Sequence, residues 1–183
     1  SILKIEYNNE GPVSGSITLE EAKITHYTLT YPSGIIVVDG KIAEPKSFSE
    51  DSWKTISANV SAGNLSKYNV GDTKTIELEG FGTHTVRIAN TTTPSECSNL
   101  DFSQTACGFV IEFEDIITAY AMNSNDTNVG GWEASEMRSY VNNDIYNSFP
   151  SELKTLIIDT KVVSGHGLDD SSNFVTTDKL YLL

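Results

Sequence analysis

Carboxylates, side-chain amides, one tryptophan and a cysteine pair are the residues whose types and spacing in this chain admit chemistry. Glu112, Glu114 and Asp115 crowd into Glu112-Phe113-Glu114-Asp115. On a strand, Glu112 and Glu114 share a face, and two carboxyls about 5–10 Å apart are what glycosidic bond cleavage requires. The same pair also reads as an ordinary solvated strand face. Asn123-Ser124-Asn125-Asp126-Thr127-Asn128 is rich in oxygen, the donor a hard cation prefers. Calcium is the ion such a loop would take, through Asn123, Asn125, Asp126 and Asn128, with Glu133 and Asp115 near in sequence. The run lacks the full EF-hand pattern, and a plain polar turn is the competing reading. Asp169-Asp170-Ser171-Ser172-Asn173 carries the same ambiguity.

Trp132, after Gly130-Gly131, is a surface on which a sugar ring would stack, or else a plug at a helix entrance. Arg138 is one of two arginines, with Arg87. It would either contact a ligand, beside Trp132 and Asn123, or hold a loop by an ion pair. The three histidines, His26, His84 and His166, make no HxH or HExxH spacing; zinc is not expected. Ser164-Gly165-His166-Gly167 sets a hydroxyl near an imidazole, but no GxSxG elbow is present. No catalytic constellation is expected, and no cofactor other than calcium.

Cys97 and Cys107 are the only cysteines, with a polar, turn-rich segment between them. That segment can bring the sulfurs together. A disulfide there removes loop entropy from the unfolded chain, worth roughly 2–3 kcal/mol, and implies an oxidising compartment. Two free thiols are the alternative. The spacing is not CxxC, so a metal site is disfavoured.

The elements that position these groups follow from periodicity and punctuation. Residues 1–45 alternate as strands broken by Asn8-Asn9-Glu10-Gly11-Pro12, Pro32-Ser33-Gly34 and Asp39-Gly40, an antiparallel meander. Ser49 is expected to cap a helix whose buried stripe is Trp53, Ile56 and Val60. Phe48 should staple it, and Gly63 should stop it. Lys74–Leu78 and His84–Ile88 flank Gly80-Phe81-Gly82 as a hairpin, and Gly108–Ile117 reads as a core strand, a helical turn at its end being the alternative. Ser135 should cap a second helix with Met137, Tyr140, Val141, Ile145 and Phe149 inward. Pro150 should end that helix and Ser151 cap a third, with Leu153, Leu156 and Ile157 inward. Lys161–Val163 and an apolar segment at Leu180–Leu183 read as the last strands. The fold class is α+β: a small antiparallel β-meander (1–45), then a mixed domain (46–183) with about three helices and a twisted antiparallel sheet.

The formal net charge of −13 leaves no basic stripe to displace counterions from phosphates, so nucleic-acid binding is excluded. No apolar run reaches the roughly 18–20 residues of a membrane span, and Ser1-Ile2-Leu3-Lys4 reads as neither signal peptide nor anchor.

Several stretches recur together in known order: Tyr68-Asn69-Val70-Gly71-Asp72-Thr73-Lys74, Met122-Asn123, Trp132-x-x-Ser135-x-x-Arg138, Leu153-Lys154-x-x-Ile157 and Asp178-Lys179-Leu180-x-Leu182-Leu183. Through them, residues from about Pro45 onward resemble a domain of unknown function found in cell-surface proteins of Gram-positive bacteria. The resemblance implies a C-type-lectin-like or sulfatase-modifying-factor-like architecture. It also implies further strands after Leu183, where Leu180–Leu183 would otherwise be an open edge. Gly15-Ser16-Ile17-Thr18-Leu19, Leu29-Thr30-Tyr31 and Gly34–Ile42 are similar to the β-meander of a Gram-positive type IV pilin. The expected function is non-catalytic: an extracellular, bacterial cell-surface or pilus-associated protein for adhesion, ligand recognition or filament assembly. Its partners would be a glycan or host surface ligand, or like subunits in an oligomer or filament. The alternatives are a carbohydrate-active enzyme using the acids near Glu112–Asp115, or a structural spacer.

Overall fold

The computed structural model describes residues 43–99, 101–166 and 171–182. The chain divides into two compact units, Ser1–Ala43 and Glu44–Leu183. The expected meander and its pilin-like strands lie outside the described residues, as do Gly167 and Asp169-Asp170.

Helix α1 is Trp53–Ser61, and its cap is Ser52 rather than the expected Ser49. The Ser52 hydroxyl accepts the Thr55 N–H at 3.1 Å. The helix starts late because Ser47–Asp51 is held in a turn. The Glu50 N–H reaches Ser47 Oγ, and the Asp51 carboxylate accepts both the Lys46 N–H at 2.9 Å and the Tyr68 hydroxyl at 2.7 Å. Burial, reinforced by Asp51, pushes the Tyr68 phenol well above the usual tyrosine range. Lys74 donates to the Ser49 and Asp51 carbonyls and sits over the Trp53 ring; burial lowers its pKa against the pull of Asp51 and Glu152. The inward stripe is Trp53, Ile56 and the fully buried Asn59, with Val60 half-buried. Asn59 is tolerated inside because it donates to the Thr55 carbonyl and accepts from Asn64. Gly63, at φ +71°, lets the chain leave the helix.

Strands β1 (Thr73–Leu78) and β2 (Gly82–Asn90) form the expected hairpin, in register Ile76↔His84 and Leu78↔Gly82. Period-two alternation sends Ile76, Leu78, Val86 and Ile88 into the core, each at most 3% exposed. Strand β3 (Val110–Phe113) joins the other side of β2, also antiparallel. It is much shorter than Gly108–Ile117. Around the sheet pack Phe48, Tyr68, Ile145, Phe149 and Leu153. Phe48 meets Trp53, Tyr68 and Phe109 edge to face.

The second helical region begins with a short turn, α2 (Gly131–Ala134), which periodicity did not indicate. Ser135 then caps α3 (Glu136–Tyr140), its hydroxyl accepting the Arg138 N–H. A π turn, Val141–Ile145, leads into α4 (Tyr146–Ser148). Helix α5 is Ser151–Lys154; Pro150, not Ser151, occupies its cap position and offers no side-chain bond. Glu152 accepts the Lys54 N–H and so ties α5 to α1.

Strands β4 (Thr160–Ser164) and β5 (Phe174–Asp178) make a second, separate antiparallel pair. The last strand therefore ends at Asp178, and the expected strand from Leu180 does not form among the described residues. Asn142 takes the place of a partner strand. Its Oδ1 accepts the Lys179 and Leu180 N–H groups at 2.9 and 3.0 Å, and its Nδ2 donates to the Leu180 carbonyl at 2.8 Å. Leu180 packs half-buried against the core. Helices and antiparallel sheets together make the fold α+β.

Candidate functional site

Trp132 and Arg138 converge on one acid, Asp178, which its place at the head of the Asp178–Leu183 stretch did not mark as their partner. Its carboxylate is buried, with the side chain 2% exposed. Oδ1 accepts Arg138 Nε at 2.7 Å; Oδ2 accepts Trp132 Nε1 at 2.9 Å and the Thr176 hydroxyl at 2.6 Å. The Trp132 ring is only 9% exposed. Gly130 and Gly131 make the entry possible. Both have positive φ, and a Cβ at Gly131 would lie 2.7 Å from the Phe174 ring. The cluster fastens α2 and α3 to β5, and its polar atoms already have partners.

Asn123 sits where the polar loop meets α3. Its Nδ2 donates to the Thr127 carbonyl at 2.8 Å, and its Oδ1 accepts the Glu136 N–H at 3.1 Å. The Asn125 and Asn128 carbonyls accept the Thr127 and Gly131 N–H groups. Asp126 is exposed. Of the four residues expected to gather round calcium, three thus hold the loop in shape by their own hydrogen bonds. Among the described residues, no three His, Cys, Asp or Glu side chains are grouped to hold a metal. Ser124 donates to the Glu136 carboxylate, and this bond holds Glu136 below the ordinary carboxylate range.

Glu112 lies in β3, and Glu114 and Asp115 follow it at a bend. Glu112 pairs with Arg87 at 2.6 Å across the sheet surface, while Glu114 and Asp115 are exposed. One open groove of about 340 Å³ lies elsewhere, lined by Glu79, Phe81, Asn143, Asp144, Asn147 and Ser148. His84 contacts the Phe81 carbonyl and the Phe113 ring, and the His166 N–H reaches Asn173. His26 lies outside the described residues. Cys97 and Cys107 are joined by a disulfide. Their loop docks onto the second sheet, where Ser103 Oγ accepts the Val163 N–H and the Thr105 carbonyl accepts the Tyr181 hydroxyl.

The least accounted-for feature is the run after β3. From Ile116 to Ala121 the chain passes without a turn or bend. Between Asp115 and Ala121 no backbone group has a hydrogen-bond partner among the described residues. Ile117 packs against the core. Ile116 is 88% exposed, and Tyr120 and Met122 are each 45% exposed. Tyr120 lies flat on Tyr140 of α3, ring centroids 3.9 Å apart and planes within 3°. The Met122 carbonyl accepts the Met137 N–H, so the run borders α3. Apolar residues marked only its first two positions, Ile116 and Ile117, as the end of a strand, and their exposure was not readable, since buried and exposed apolar strands look alike in sequence.

Residues 109–183 match a family described as a domain of unknown function (DUF6273). No protein of curated function matches the chain, and no solved structure does.

Proposed function

We propose that this chain is a non-catalytic, extracellular recognition module of a bacterial cell surface or surface filament, and that it engages its ligand through the strip from Ile116 to Met122. The observation that carries this reading is the strip itself. Ile116, Tyr120 and Met122 face solvent, Tyr120 lying on the half-buried Tyr140, beside backbone groups that have no hydrogen-bond partner among the described residues. Contiguous exposed apolar surface is where proteins bind. The Cys97–Cys107 disulfide supports an oxidising location. Glu112 is engaged by Arg87 and Trp132–Arg138 by Asp178, which weighs against hydrolysis by these groups.

The test is a glycan and peptide array probed with the protein and with Tyr120→Ser/Met122→Ser. Saturable binding that the double variant loses is expected. Turnover in a glycan-hydrolysis screen that Glu114→Gln abolishes would overturn the proposal in favour of a carbohydrate-active enzyme. Absence of binding to any ligand would leave the chain a spacer.

A further inference from the structure

Resting on that reading of the strip, we propose that its ligand is an extended, basic peptide segment, taken up by strand addition along Ile116–Ala121. The run follows β3 after a bend at Glu114-Asp115, and among the described residues β3 has β2 on one side only. N–H and carbonyl groups without a partner among the described residues, in a segment free of turns and bends, are a template for a further strand. Ile117 anchors the run to the core, which leaves Ile116 and Tyr120 outward to meet side chains of the incoming segment.

Charge selects the partner. From residue 88 to residue 137 the sequence holds acidic residues and no lysine, arginine or histidine. Glu114 and Asp115 are exposed at the start of the strip. Glu133 and Glu136 lie on the helices beside its end, Glu136 one turn before Tyr140. The flat tyrosine pair, one turn of α3 from Glu136, suits a lysine or arginine side chain, which gains from both ring and charge. A second copy of this chain is the poorer occupant, because each copy carries a net charge of −13.

Fluorescence anisotropy with a short labelled Lys–Val alternating peptide, its Glu–Val counterpart and a Lys–Val peptide N-methylated at alternate residues tests this. The Lys–Val peptide should bind saturably and more weakly as salt rises, while the other two should fail. Thr118→Pro and Ala119→Pro each remove one backbone donor, and neighbouring donors point to opposite sides. At least one should weaken binding about fivefold to tenfold with the melting temperature unchanged. The N-methylated peptide decides the matter on the wild-type chain if neither variant folds. Equal binding of all three peptides overturns strand addition, and so does a dimer in light scattering that Ile116→Lys disperses. Glycan binding at the strip without peptide binding overturns this inference and leaves the recognition reading standing; loss of both overturns both.

Discussion

At the residue scale, Asp178 carries the largest consequence. It is a buried carboxylate held by an arginine, an indole N–H and a hydroxyl. Removing it leaves the half-buried Arg138 guanidinium with only the Glu133 carbonyl at 3.4 Å, and the buried Trp132 N–H without its acceptor. Asp178→Ala is therefore expected to cost about 3–5 kcal/mol, measured by urea denaturation, with Asp178→Asn falling between it and wild type. Trp132 fluorescence should shift to the red in the alanine variant as its pocket loosens. Glu136 gives a pH prediction. Its carboxyl is fully exposed, yet the Ser124 hydroxyl holds its pKa below the ordinary glutamate value. A depressed folded-state pKa means the contribution is present above the unfolded value and lost as pH falls through the folded one. An NMR titration of Glu136 Cδ should give a midpoint below that of ordinary glutamate, and Ser124→Ala should bring it part of the way back, since the Ser124 backbone also lowers it. The sequence announced Trp132 and Arg138 as a pair worth watching. The acid between them was hidden because it lies forty residues from Arg138, a separation that local spacing does not encode.

At the scale of elements, the clearest difference between expectation and structure is at the end of the second sheet. Asp178–Leu183 carries apolar residues at strand-like spacing, yet the chain leaves the sheet at Asp178. The π turn in the helical stretch contains Asn142, whose amide presents both an acceptor and a donor to residues 179 and 180. Periodicity reads backbone pairing from side-chain type and cannot foresee a side chain imitating a backbone. Asn142→Leu is expected to cost about 1–3 kcal/mol, with faster hydrogen exchange at the Lys179 and Leu180 amides. Asn142→Asp keeps the acceptor and should lose less. The hairpin and the first helix were legible because each has a local signal: alternating Ile and Leu, glycines at the turn, a serine cap. The cap moved from Ser49 to Ser52 since the Asp51 carboxylate was drawn away by Lys46 and Tyr68. Strand β3 stops early at Phe113 and gives way to the exposed strip, which composition alone could not tell from a buried strand.

At the scale of the whole molecule, the disulfide loop links the two sheets. It leaves β2, is closed by Cys97–Cys107, and reaches β4 through Ser103 and Tyr181 through Thr105. Cys97→Ser/Cys107→Ser is expected to lower stability by about 2–3 kcal/mol through the freed unfolded chain. Hydrogen exchange should rise at the Val163 amide as well as in the loop. Among the described residues no helix is long and apolar enough to cross a membrane. The acid-only span from residue 88 to residue 137 has one more consequence. Exposed, unpaired chain is where proteases cut, but enzymes that cleave after lysine or arginine find no scissile bond between Arg87 and Arg138. Digested by trypsin, the chain should release residues 88–138 as a single acidic fragment still closed by its disulfide. The exposed strip is thus, to that class of protease, opaque.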